Sequence, residues 1–276
     1  MSRFAKIVVH SAQLILVFLA IFPFVWMFFT TFKSISEIAK YPPTFAPESY
    51  TLRNYLRVFE VLPIPRLFWN SFLLSILPVL GSVLLGALGG FVFAKLEFKG
   101  RDILFKLLLI SMIVPEETRV IPMFLLVRKL HLIDTNLAAV FPSLMGPFSL
   151  FLMRQHIMQI PRDYLDACLV EGATFFQTFR KIVLPLVRPA AATVAITAFM
   201  WNWRQLLWHL LVLESPWKKT LEISLATFVV TLGGVRDVDH GAYMAMVTVS
   251  IIPVLIVFLV LQKQFISSLV LSGLKG

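Results

Sequence analysis

Six apolar stretches, each about 17–27 residues long, match the ~30 Å hydrocarbon thickness of a bilayer at helical rise. They fall at approximately residues 7–32, 68–94, 103–127, 137–153, 190–213 and 242–262. Composition decides what solvent they face. Only 14% of the 276 residues are charged, against 58% hydrophobic, whereas a soluble domain carries about a quarter charged residues. Polar side chains cannot cover such a chain, so lipid must. The expected fold is an all-α integral membrane protein of about six transmembrane helices, with residues 1–276 forming one transmembrane domain. The first stretch begins near Ile7 and is too long for a signal-peptide core, so it is expected to stay as a permanent span. In the second, Ser82, Gly86 and Gly90 form a small-residue row at four-residue spacing. Such a row either lets another helix approach closely or reflects the general tolerance of membrane helices for glycine.

The formal charge of +10 is scattered over short loops and forms no basic stripe with interleaved aromatics, which argues against nucleic-acid binding. Lys and Arg divide almost evenly between the two sides of the predicted spans, so charge leaves orientation open. The lone Cys168 excludes an internal disulfide and a multi-cysteine metal site.

Charged and amide groups inside apolar stretches are candidates for function, because lipid-facing charge is costly. The third stretch carries Pro115, Glu116, Glu117, Arg119 and Pro122, and the fifth an isolated Arg204 beside Gln205. Trp201, Trp203 and Trp208 lie close by, and indole faces stack well on sugar rings. Glu116, Glu117, Arg119, Trp203, Arg204, Gln205 and Trp208 are therefore the candidate lining of a translocation cavity. A structural role stays open for the same residues: Arg119 paired with one of the carboxylates, and Arg204 paired with Glu117 or with a neighbouring subunit.

Residues 154–189 carry the most information. Pro161 suits a first helical turn, and Leu165, Cys168 and Leu169 follow at helical spacing. Gly172 stands where a left-handed C-cap is expected. Thr174 to Gln177 has the pattern of a capping box opening a second helix, which Pro185 is expected to end. The predicted product is a helix–glycine–helix element projecting from the bilayer, its apolar face without a partner in its own chain. It would lie on the membrane surface or dock a separate soluble subunit by helix-in-groove packing.

These residues carry a resemblance. Asp166-Ala167-Cys168, Gly172 and then Ile182, Leu184 and Pro185 resemble the Glu-Ala-Ala motif of binding-protein-dependent ABC importer permeases. Asp166 stands for the usual Glu, Cys168 for the second Ala, and Glu171 for the Asp before the glycine. The likeness narrows to the carbohydrate (maltose and glycerol-phosphate) group. It is carried by Pro23 to Trp26 with Phe32-Lys33, Asn54-Tyr55, Trp69 to Ser71, Ala94 to Arg101, Leu130 to Thr135, Gln262 to Phe265 and Ser272 to Gly276. At Leu130 to Thr135 the group usually has glycine where this chain has His131. In the fifth span Trp203 to Leu210 departs from the group: Arg204 replaces an amide, Gln205 a carboxylate and His209 a proline.

The resemblance implies a type I importer permease, multi-pass in a bacterial or archaeal plasma membrane, with both termini and a coupling loop at 162–184 in the cytoplasm. It implies a second permease completing a heterodimer, two ATPase subunits docked on the loop, and an extracytoplasmic solute-binding protein. The docking residues would be Asp166, Ala167, Cys168, Glu171, Gly172, Ile182, Leu184 and Pro185. No phosphate-binding Gly-x-x-x-x-Gly-Lys-Ser/Thr loop and no hydrolase motif occurs in the chain. The chain is thus expected to be no enzyme and to hold no cofactor, with ATP and magnesium bound by the partner ATPases. The competing reading is a secondary transporter or channel subunit using Glu116 and Glu117 as ion or proton sites.

Overall fold

The computed structural model describes the backbone of residues 3–231 and 239–273, and among the described residues it is helical with no strand. Helix α1 (Arg3–Thr30) is followed by α2 (Arg53–Val61) and α3 (Ile64–Lys95). Then come α4 (Arg101–Ser111), α5 (Glu116–Lys129), α6 (Asn136–Val140), α7 (Pro147–Met158) and α8 (Arg162–Val170). The remainder is α9 (Phe175–Leu186), α10 (Arg188–Trp203), α11 (Leu207–Val212), α12 (Leu221–Thr231) and α13 (His240–Gly273). Leu274 to Gly276, which share in the C-terminal resemblance, and Leu232 at the end of an apolar connection lie outside the described residues.

Three helices are long and apolar enough to cross a bilayer unbroken: Phe4–Thr30, Ile64–Lys95 and His240–Gln262. Residues 136–158 and 175–203 qualify as helix pairs bent by 41° and 76°. The expected third span does not form one helix. The chain leaves helical geometry between Ser111 and Glu116, where Pro115 lacks an N–H and takes extended backbone (ψ 142°) as the N-cap of α5. The expected fifth span is also interrupted, at Arg204 to Leu206. Pro185, expected to end a helix, lies within α9 instead. Phe179–Val183 just before it is wound as a π-turn, which widens the coil and relieves the clash of a proline ring with the carbonyl four residues back. The bend comes after Leu186.

The contacts divide the chain into two compact units: residues 1–65 with 224–252, and residues 66–223 with 253–276. In the first, α1 is exposed at every residue from Lys6 to Phe24, as a helix solvated by lipid must be. The segment after α1 folds on buried polar groups. Asn54 donates to the carbonyls of Thr31 and Lys33, each at 2.8 Å. Glu37 accepts from the Thr44 hydroxyl at 2.9 Å and the Glu48 N–H at 2.8 Å. The Lys33 ammonium donates to the Thr44 carbonyl and lies 4.8 Å from the Trp26 ring centre.

In the second unit the small-residue row has a definite role: it is the seam between α3 and α7. A Cβ added at Gly86 would sit 3.1 Å from Ser149 Cβ, and one at Gly90 would sit 2.8 Å from the Arg154 backbone nitrogen. Ser82 donates to the Ser143 carbonyl at 3.3 Å. Close approach lets Ala87 and Phe91 of α3 pack with Met153 and Ile157 of α7 in one buried core. A second core gathers Leu74, Val120, Val127, Ala138, Trp208 and Val212.

Because the neighbour of Gly90 is backbone, Gly90→Leu should destabilise the subunit by about 1–3 kcal/mol or more through overpacking. At Gly89 an added Cβ meets only the side chain of Leu150, so Gly89→Ala should be milder. Thermal unfolding of the purified protein in detergent, compared between the two variants, checks the order.

Candidate functional site

Two regions of the second unit carry the predicted functional residues. The first is the 160–187 loop. Its start is fixed to the end of α3, where the Lys95 ammonium donates to the Ile160 carbonyl at 2.6 Å and Arg162 reaches Glu97 at 3.3 Å. Helix α8 ends in a Schellman arrangement: the Ala173 N–H bonds the Cys168 carbonyl at 2.9 Å, with Gly172 left-handed at φ +77°. Thr174 and Gln177 then close a reciprocal capping box, at 3.2 Å from the Gln177 N–H to the Thr174 hydroxyl and 2.8 Å from the Thr174 N–H to the Gln177 side-chain Oε1. Nothing lies within 4 Å of where a Gly172 Cβ would be, so backbone conformation and not crowding selects glycine there.

The apolar face of this element is not wholly without a partner, contrary to expectation. Leu165, Phe179 and Val183 are buried with Phe91, Met153 and Ile157, and the Phe91 and Phe179 rings are 5.7 Å apart. A different apolar set stays exposed: Tyr164, Val170, Phe175 and Phe176. Asp166, Ala167, Glu171, Gly172 and Pro185 share that exposure, while Cys168, Ile182 and Leu184 are half-buried. Sequence spacing alone could not tell which of two apolar sets would find the body of the protein. A small cleft beside the loop is lined by Lys95, Arg162, Leu165, Asp166, Phe175 and Thr178, among others.

The second region is a cavity of about 420 Å³ whose polar lining is Ser82, Ser111, Glu116, Arg119, Ser143, Ser149, Thr197 and Asn202, with Trp201 also lining it. Three of the helix breaks contribute to it. Ser111, Met112 and Glu116 flank the α4–α5 break, Ser143 to Pro147 form the entry to α7, and Trp201 and Asn202 come from the end of α10. Glu116 stands in the first turn of α5, where the helix dipole favours a carboxylate, and accepts from the Gln205 amide at 3.2 Å.

Of the seven residues expected to line a cavity, Glu116 and Arg119 do so and Gln205 is tied to Glu116. Trp203 and Trp208 do not. Trp203 is buried, its ring 5.5 Å from that of Phe199, and buried Trp208 donates to the Ala138 carbonyl at 3.0 Å. Glu117 and Arg204 are exposed outside the cavity lining. Among the described residues no ion pair joins Arg119 to Glu116 or Glu117, nor Arg204 to Glu117; Arg204 does lie within electrostatic reach of the Glu222 carboxylate. The hydroxyl lining is easily missed because single Ser and Thr residues in apolar spans look like ordinary helix content. Ser111 and Thr197 each donate to a carbonyl of their own helix, and only the fold brings them together.

A further polar cluster holds the Leu130 to Thr135 motif in place. Asp134, left-handed at φ +60°, accepts from the N–H groups of Glu214 at 3.1 Å and Ser215 at 3.0 Å, from the Ser215 hydroxyl, and from Lys218 at 3.1 Å. These bonds, that of the Ser215 hydroxyl foremost, lower its pKa to about 2. His131 is left-handed too, at φ +55°, a conformation that glycine adopts with less strain.

Residues 82–270 match the model of the family described as "Binding-protein-dependent transport system inner membrane component". The chain is 34% identical over 265 residues to the arabinooligosaccharides transport system permease protein AraQ of Halalkalibacterium halodurans, covering 94% of this chain and 92% of that one. It is 30% identical over 267 residues to the lactose transport system permease protein LacG of Rhizobium radiobacter, covering 97% and 96%. In fold it is similar to a chain in the crystal structure of a bacterial ABC transporter involved in the import of the acidic polysaccharide alginate. The TM-score is 0.85 at 24% identity, over 96% of this chain and 99% of that one.

The Asp134 cluster has a pH signature. Its folded pKa lies below the ordinary carboxylate value, so its stabilisation is full above that value and is lost as pH falls through about 2. Asp134→Asn should therefore lower the melting temperature at neutral pH and flatten the decline of stability below about pH 4. A series of melting curves against pH, for the wild type and the variant, measures both effects.

Proposed function

Because the chain belongs to the binding-protein-dependent transport system inner membrane component family, we propose that its two sites work as the ends of one ATP-driven import device for a sugar or sugar-like solute. The subunit is the transmembrane permease of such an importer, and the secondary-transporter reading has no support in the family match. The observation that carries the mechanism is the packing of the 162–184 loop. Its exposed Tyr164, Val170, Phe175 and Phe176, beside the carboxylates of Asp166 and Glu171, offer a helix-in-groove docking surface. Its buried Leu165, Phe179 and Val183 key that surface into α3 and α7.

Those helices lead to the cavity. Ser82 of α3 and Ser149 of α7 line it, while Lys95, thirteen residues and roughly 20 Å along α3 from Ser82, holds the start of the loop. A displacement of the docked loop is thus applied to helices whose other ends shape the cavity, and one two-state element is biased from both sites. Toward a solute in the cavity, Glu116 can accept and Arg119 can donate hydrogen bonds, the hydroxyls can do either, and Trp201 offers a stacking face. That set suits a polyhydroxylated solute.

The assembly we infer contains a second permease that completes a heterodimer, two ATPase subunits that bind ATP and magnesium and sit on the loop, and an extracytoplasmic binding protein that delivers solute. Residues 1–276 act as one transmembrane permease domain of a bacterial or archaeal plasma membrane, with both termini and the loop in the cytoplasm. The family resemblance of the loop motif supports this orientation. Arg204 and Gln205 belong to the same reading: Gln205 positions Glu116, and Arg204 faces outward at the break of α10.

Gly172→Val should leave assembly intact and uncouple transport, because a β-branched residue at φ +77° costs about 1–2 kcal/mol or more and must reshape the turn. The measurement is ATPase stimulation by the binding protein in reconstituted importer, alongside subunit stoichiometry; normal stimulation would count against the reading. Asp166→Ala should weaken ATPase retention by about 1–3 kcal/mol if the loop carries a charge-assisted contact. Pull-down across a salt series measures it, and unchanged retention would dismiss Asp166 as a docking residue.

A further inference from the structure

Helix α2, immediately before the spanning helix α3, has three faces where an ordinary surface helix has two. One face is buried in its own unit: Asn54 and Val58 are 3% and 1% exposed, and a Cβ added at Gly241 would lie 2.5 Å from Asn54 Oδ1. A second face is charged and in solvent, with Arg53, Arg57 and Glu60 exposed and Arg57 3.7 Å from Glu60. The third is apolar and open: Leu52, Leu56 and Phe59, four and three residues apart, are 62%, 61% and 53% exposed. At helical spacing these three form one stripe between the buried and the charged faces.

We propose that this stripe is seated in the acyl boundary of the bilayer, making α2 an interfacial helix. Three observations commit the stripe to lipid. Only Leu62 and Pro63 separate α2 from Ile64, where a helix apolar enough to cross the bilayer begins, so α2 stands at the depth where hydrocarbon gives way to headgroups. Charged and apolar rows lie side by side on an otherwise short and not very hydrophobic helix, the pattern of a segment lying in that boundary. The charged row includes Arg53 and Arg57, whose guanidinium groups complement phosphate oxygens. Buried Asn54, bonded to the carbonyls that follow α1, fixes the rotation of the helix so that the stripe cannot turn inward.

Site-directed spin labelling tests this on the assembled importer, reconstituted in vesicles of phosphatidylethanolamine and phosphatidylglycerol. The background carries Cys168→Ser, and single cysteines replace Leu52, Leu56, Phe59, Arg53 and Arg57 in turn. All five positions are exposed, so labelling leaves the Asn54 and Val58 contacts intact. Labels at 52, 56 and 59 should collide several-fold more with dissolved oxygen than with a water-soluble nickel chelate, and labels at 53 and 57 should show the reverse. Nickel access at all five positions would place the stripe in water and overturn the proposal. Immobile labels reached by neither reagent at 52, 56 and 59 would overturn it as well, assigning the stripe to a protein partner.

Discussion

The constraint on which the rest depends is that backbone N–H and C=O groups in hydrocarbon must find partners within the protein. Unbroken helices meet it along α1, α3 and α13. Elsewhere the helices break, and three of the breaks converge. Those at Met112 to Pro115, Leu144 to Gly146 and Arg204 to Leu206 all border one cavity or tie to its lining. Freed backbone and polar side chains are thereby gathered in one place that need not be apolar. The same irregularity that would be intolerable against lipid makes a polar chamber.

That arrangement rests on how closely two helices approach. With glycine at 86 and 90, α3 meets the backbone of α7 directly, and small residues at an interface let dispersion forces act where no hydrophobic gain is available within lipid. The seam also aligns both regions along one pair of helices. Ala87, Phe91, Met153 and Ile157 lie between the cavity end, at Ser82 and Ser149, and the loop end, at Lys95 and Ile160. A loop hung on a loosely packed pair would dissipate its displacement in local rearrangement. One keyed into a close-packed core moves with it.

Much of this was legible in the sequence where the rule is local. Apolar length identified the three unbroken spanning helices, and Gly172 and the Thr174–Gln177 box sit where turn and capping chemistry put them, because both are decided within a few residues. What depends on tertiary neighbours was less legible. Leu165 and Phe175 look alike in an amphipathic loop, yet one is buried and the other exposed. Trp203 and Trp208 look like cavity walls in a row of tryptophans, but helical rotation and the break at Arg204 turn both inward to packed cores. The polar lining comes from residues up to 120 positions apart, Ser82 to Asn202, and no periodicity announces it. Pro185 shows the limit of a strong local rule: a π-turn absorbs it.

That π-turn at Phe179–Val183 has a consequence for how the protein can change over evolutionary time. A π-turn is the geometric equivalent of one residue inserted into an α-helix and taken up locally, whereas in a regular helix the same extra residue would rotate everything beyond it by about 100°. Phe175 and Phe176 on one side of the turn would then swing relative to Val187 and Ala190 on the other, which are buried in the core. Substitutions can drift along α9 so long as size and polarity are kept, and one residue lost within 179–183 returns the turn to a regular ladder, but a further insertion or a second deletion would misdirect the exposed surface as a whole. The length between Thr174 and Arg188 should accordingly differ among working relatives by no more than the one residue that the π-turn takes up.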